Sequence, residues 1–128
     1  MNHSQLAAVA ATVVLLLLMV FQCLLVLGLP FGRAAWGGNH RVLPRQHRWG
    51  SAAAVPILGV AAWTVLARAD LLAPGPEVAT VRFSVWFFAA YFALNTVGNL
   101  ASKSSVERNT MTPLSTLLVL CFLVVALS

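Results

Sequence analysis

Gln22, Asn95, Thr96, Asn99, Ser115 and Thr116 are amide and hydroxyl side chains set in stretches that are otherwise almost wholly apolar. Asn95 and Asn99 stand four residues apart, a spacing that places both on one face of a helix. At 1.5 Å of rise per residue, all six fall within about 12 Å of the same end of those stretches. Such a belt has two uses. Amides and hydroxyls can form a small polar pocket or vestibule that binds a ligand or lines a pore. Alternatively they can tie helices together by hydrogen bonds, each worth about 0.6 kcal/mol between membrane helices. Spacing alone leaves both open, with interhelical bonding the more common outcome.

No other residues form a reactive set. Cys23 and Cys121 each lie in an apolar stretch, without a Cys-x-x-Cys spacing or a neighbouring His or carboxylate, and read as small packing residues. His40 and His47, seven residues apart among four arginines, make a weak metal-ligand pair. Gly37-Gly38 lies near the same arginines, yet its surroundings match neither a Walker loop nor a dinucleotide fingerprint. Serines without a nearby base and orienting acid give no nucleophilic triad. Phe88, Tyr91 and Phe92, at i, i+3 and i+4, read as a packing or lipid-facing surface. The expectation is a non-enzymatic protein with no cofactor and no metal.

The elements that position the polar belt follow from composition. A chain of 128 residues that is 60% hydrophobic and only 9% charged departs from soluble domains, in which about a quarter of residues are charged. Four apolar stretches are each long enough to cross a bilayer as a helix. They predict an all-α membrane protein, a single transmembrane domain with a four-helix bundle of two helical hairpins, with helices at about 6–29, 51–67, 83–101 and 112–128. The first lacks the basic head of a cleaved signal and is expected to be a retained helix, broken by Pro30 and Gly32. The second contains Ala52, Ala53, Ala54, Gly59, Ala61 and Ala62, small residues that let helix backbones approach. Pro56 lies inside it, as a bend or a sign of a later start. Pro113 suits the first turn of the fourth helix, where its missing N–H is not needed.

Charge position gives an orientation. The first and third connections carry Arg33, Arg41, Arg45, Arg48, Lys103 and Arg108, whereas the rest of the chain carries only Arg68 and Arg82. Lys and Arg are retained on the cytoplasmic side. Segments 30–50 and 102–111 are therefore expected in the cytoplasm and both termini outside. Arg33, Arg41, Arg45 and Arg48 are candidates for contact with anionic lipid headgroups, each worth about 1 kcal/mol near the surface. Trp36 and Trp49 fit as interfacial anchors. The expected partners are the bilayer, its anionic headgroups, and a second copy or another membrane protein. The formal charge of +5, placed in this way, speaks for membrane topology rather than nucleic acid.

The segments Pro30-Phe31-Gly32-Arg33-Ala34-Ala35-Trp36-Gly37-Gly38, Leu43-Pro44 to Arg48-Trp49-Gly50-Ser51, and Asn99-Leu100-Ala101-Ser102-Lys103-Ser104 with Glu107-Arg108 resemble a family of uncharacterised small bacterial four-helix integral membrane proteins. The resemblance covers most of the chain and implies a bacterial plasma-membrane location, but no activity, cofactor or substrate. Proton-coupled antiporters of the small multidrug-resistance kind are similar in length and helix number, but need a first-helix carboxylate that Met1 through Gly32 lacks. Small dimeric fluoride channels are similar only in size and helix number. The expected role is structural or partner-binding, with a small oligomeric transporter or channel built on the polar belt as the alternative.

Overall fold

Asn2 starts the first helix, α1 (His3–Val26). Its side-chain oxygen accepts from the Gln5 backbone N–H at 2.8 Å, while the Gln5 side chain accepts from the Asn2 N–H, a reciprocal capping box. The helix stops at Gly28, which takes the left-handed conformation at φ +86°. There the Gly28 N–H donates to the Leu25 carbonyl and the Leu29 N–H to that of Leu24, both at 3.1 Å. This is the Schellman arrangement, which satisfies carbonyls left over at a helix end. Termination therefore occurs at Gly28, before the Pro30 and Gly32 that the sequence singles out.

A computed structural model describes residues 1–128 as four long helices with no strand. After α1 come two short 3-10 turns (Gly32–Ala34 and Trp36–Gly38), then α2 (Arg45–Arg68), α3 (Ala79–Leu100) and α4 (Ser105–Leu127). All four helices start nearer the N-terminus than expected, α1 at His3 rather than at 6. α2 begins at Arg45 rather than at 51, following Pro44 in an extended conformation, and runs unbroken past Pro56. α3 begins at Ala79 rather than at 83. α4 begins at Ser105 rather than at 112, because the Ser104 side chain caps it by accepting from the Glu107 N–H at 3.3 Å. Pro113 is consequently interior to α4, where it cannot donate to the Asn109 carbonyl.

α1 packs most extensively on α2, and α3 on α4, so each half of the chain is a helical hairpin. The hairpins join mainly through α1 and α4, while α2 and α3 share the loosest of the four side-by-side contacts. The core combines small and large residues. Ala8, Ala11 and Leu15 of α1 and Ala61 and Val65 of α2 are fully buried, as are Leu118, Phe122 and Val125 of α4. Phe122 meets Phe92 at a ring separation of 5.3 Å and Phe88 at 6.3 Å, so these two aromatics are packing residues.

The outer surface is as apolar as the core. Leu6, Val9, Val13, Leu16, Leu17 and Val20 are exposed along α1 at helical spacing, and only 22% of its most apolar window is buried. Helices α1, α2 and α4 are long and apolar enough to cross a membrane. α3 has the length, with 22 residues, but Arg82, Ser84, Asn95, Thr96 and Asn99 dilute its apolar character. Cys121 is buried as expected, whereas Cys23 lies on the exposed face of α1.

Candidate ligand-binding cavity

One end of the bundle is closed by a folded cap built from the first and third connections. The Ser104 hydroxyl donates to the Arg33 carbonyl oxygen, fastening the two connections together. Arg33 Nη1 donates to the Gly38 carbonyl at 2.7 Å, and the Gly32 N–H to that of Arg41 at 2.8 Å. Arg48 Nε reaches the Val26 carbonyl at 3.0 Å, tying the start of α2 to the end of α1. At the opposite end, Arg68 Nη2 donates to the Ser128 carbonyl at 2.8 Å. All six basic residues of the first and third connections thus gather at the cap.

Trp36 is the centre of the cap. Its indole N–H donates to Ser51 Oγ at 3.2 Å, and its ring stacks on His47 with centroids 4.5 Å apart and planes 7° from parallel. The residue adopts φ +52°, a conformation that bulky side chains rarely take and that persists only where surroundings hold it. Gly50 allows this placement, since a Cβ there would run into the Trp36 ring. His40 meets His47 edge-on at 5.6 Å, but no third His, Cys or carboxylate joins them. His47 thus belongs to an aromatic cluster with Trp36 and His40.

Beneath Trp36 and between all four helices lies a cavity of about 360 Å³. Its volume falls in the range of small-molecule sites. Leu18, Phe21 and Gln22 come from α1, Gly50, Ala54, Ile57 and Leu58 from α2, Tyr91, Phe92, Asn95 and Asn99 from α3, and Glu107, Met111, Leu114, Ser115 and Leu118 from α4. Trp36, Ile57 and Asn95 are the most exposed of these groups. The mouth therefore lies between α2 and α3, where the helices are least closely packed.

Glu107 gives the cavity its only charge. The residue is 8% exposed, and its carboxylate has neither a hydrogen-bond donor nor a basic group within pairing distance. A Ser-x-x-Glu start usually returns the glutamate side chain to the capping residue's N–H. Here that N–H instead donates to Ser102 Oγ at 3.2 Å. The local partner is taken, so the carboxylate remains on the cavity wall at the first turn of α4, where the helix dipole favours a negative group. Gln22 adds a second unusual feature, a buried Oε1 with no partner.

Of the six residues singled out in the sequence, Gln22, Asn95, Asn99 and Ser115 line this cavity. Thr96 stands behind the wall, with its Oγ1 2.9 Å from Ser115 Oγ. Thr116 faces away, donating to the Thr112 carbonyl at 2.7 Å on the exposed side of α4. Ser115 is the junction of the belt. Its hydroxyl donates to the Met111 carbonyl at 2.9 Å and accepts from Asn99 Nδ2 at 3.2 Å, so pocket lining and interhelical bonding coexist. Glu107 and Trp36 are among the wall residues that the sequence reading leaves in loops. The Ser104-x-x-Glu107 spacing carried the signal for the first, and the second is set by contacts distant in sequence.

The four candidate headgroup arginines divide into two pairs. Arg33 and Arg48 are engaged with backbone carbonyls, whereas Arg41 and Arg45 are exposed on the cap. No protein-family model matches the chain, and neither a curated protein nor a solved structure is significantly similar to it.

Proposed function

We propose that this chain is an integral membrane protein with four spans that binds a small ligand in the cavity between its helices, as a carrier or a membrane-embedded binding protein. The observation that carries the reading is Glu107, a largely buried residue whose carboxylate lines the cavity without a protein partner. A carboxylate that no protein donor or basic group engages makes no contact that holds the bundle together, and it is available to a ligand in the cavity it lines. That places the ligand-binding reading ahead of the structural or partner-binding role.

The hairpin pairing supports a fourth span. α3 lies between α2 and α4 and is as long as a span, and its polar residues Asn95 and Asn99 turn to the cavity while Phe83, Trp86, Phe87 and Leu94 are exposed. An apolar outer face with polar groups directed inward is what a helix in lipid requires. The cap, with Arg41 and Arg45 exposed and Lys103 and Arg108 nearby, belongs at the cytoplasmic surface of a bacterial plasma membrane, next to anionic headgroups. The cavity mouth then opens sideways between α2 and α3, at the level where headgroups meet hydrocarbon.

The test is thermal unfolding of the purified chain in detergent against a panel of small amphipathic cations, neutral compounds and anions. At least one is expected to raise the melting temperature saturably, and Ile57→Trp, which narrows the mouth, is expected to abolish that protection. Absence of any saturable ligand, or protection unchanged in I57W, would refute the proposal.

A further inference from the structure

Several oxygens on the cavity wall are open to a hydrogen-bond donor. Asn95 Nδ2 donates to the Tyr91 carbonyl at 2.8 Å and Asn99 Nδ2 to Ser115 Oγ at 3.2 Å, leaving each side-chain oxygen without a bond. Ser115 donates to a carbonyl of its own helix, and the Trp36 N–H is committed to Ser51. Gln22 Oε1 is buried and unpartnered, and the Glu107 carboxylate can only accept. The Asn95 and Asn99 amides each keep one free N–H and the Gln22 amide keeps its own, so the charge of the wall comes from Glu107 alone.

A ligand that complements this wall carries a positive charge at one end, to meet Glu107, and can donate hydrogen bonds to the open oxygens. Its remainder must be apolar, since most of the lining is, with Trp36, Phe92 and Tyr91 among the wall residues. A bare inorganic ion is the wrong size for about 360 Å³, a volume that would hold several waters at about 30 Å³ each. Resting on the ligand-binding role argued above, we infer that the cavity selects a primary ammonium compound with an aromatic or apolar body, with Glu107 as its counter-charge. The basic residues of the cap do not oppose this strongly. None of them pairs with the carboxylate, and Arg33, Arg48 and Arg108 are engaged with backbone carbonyls. Entry from the side, between α2 and α3, avoids the cap altogether.

Calorimetric titration of the full chain in detergent, with empty micelles as blank, tests this with three compounds of like size: phenethylammonium, phenethyl alcohol and hydrocinnamate. The ammonium compound is expected to bind at least about tenfold more tightly than the alcohol, as a charge-assisted bond to a buried group implies. Glu107→Gln is expected to bring the two within about threefold of each other, while Glu107→Asp, which retains the charge, keeps the preference. Alcohol and ammonium binding equally in the unaltered chain would overturn the inference and leave the ligand-binding role standing. Tightest binding of hydrocinnamate, or displacement of the ammonium compound by potassium chloride beyond the effect of choline chloride at equal ionic strength, would also overturn it. If none of the three compounds binds, the inference falls; if the wider panel also yields no saturable ligand, the role falls with it.

Discussion

The Ser104 hydroxyl donates to the Arg33 carbonyl oxygen, joining two connections that lie 71 residues apart in the chain. The contact is tight enough to dictate the residue beside it. Gly38 sits at φ +73°, and a Cβ there would collide with the Ser104 side chain. Gly38→Ala is therefore expected to lower stability by about 2 kcal/mol or more, combining a left-handed backbone with a steric clash. Thermal unfolding in detergent measures the loss. Gly98→Ala, at a helix position with open space around it, is the control and is expected to be neutral or mildly stabilising.

Trp36 roofs the cavity only because Gly50 leaves space for its ring and Ser51 receives its indole N–H. Ser51→Ala removes one buried hydrogen-bond partner and is expected to cost about 1 kcal/mol. Gly50→Val pushes the ring off α2, so it is expected to weaken ligand binding by about tenfold, the equivalent of 1.4 kcal/mol, and to change the indole emission as its N–H leaves Ser51 and its ring leaves His47. Fluorescence of a variant that retains Trp36 as its only tryptophan gives the readout, and unchanged emission would show that the ring stays in place.

How far these relationships could be read from the sequence depends on their range. The apolar runs mark α1 to α4 because a span-length apolar stretch has few alternatives to a helix, and the i, i+4 spacing puts Asn95 and Asn99 together because that geometry is local. Helix starts are harder. Arg45-Gln46-His47-Arg48 and Ser105-Val106-Glu107-Arg108 look like loop because hydropathy registers polarity, whereas a helix continues through polar residues once it is capped. The cap itself has no periodic signature. Trp36 with Ser51, Arg48 with Val26 and Ser104 with Arg33 are single long-range bonds, so loops that read as basic and flexible fold into a fixed structure.

The polar belt separates into residues that hold helices and residues that face the ligand. Ser115 accepts from Asn99 and lies within bonding distance of Thr96, so Ser115→Ala is expected to loosen α3 from α4 by about 0.6–1.7 kcal/mol, the span measured for such bonds in membranes. Asn95 bonds only within its own helix, to Tyr91. Asn95→Leu is accordingly expected to leave the melting temperature nearly unchanged while reducing ligand affinity several-fold. Unfolding curves and ligand titrations on both variants decide the matter, and the assignment fails if Asn95→Leu destabilises the protein as much as Ser115→Ala.

Orientation can be measured at sites whose position in the bundle is known. Asn39 is exposed on the cap and Leu72 is exposed beyond the C-terminal end of α2, so single cysteines at these positions report opposite ends. With Cys23 and Cys121 replaced by alanine, Leu72→Cys is expected to react with a membrane-impermeant maleimide added to intact cells, and Asn39→Cys only after permeabilisation. The reason is the charge imbalance between the ends: six Lys and Arg residues belong to the cap connections, and their transfer across the membrane during insertion is disfavoured. Labelling of both sites in intact cells would exclude an odd number of spans between them. Labelling of Asn39→Cys alone would invert the orientation, placing the cap and the side opening next to it at the outer surface, so that ligand would be drawn from the outer leaflet.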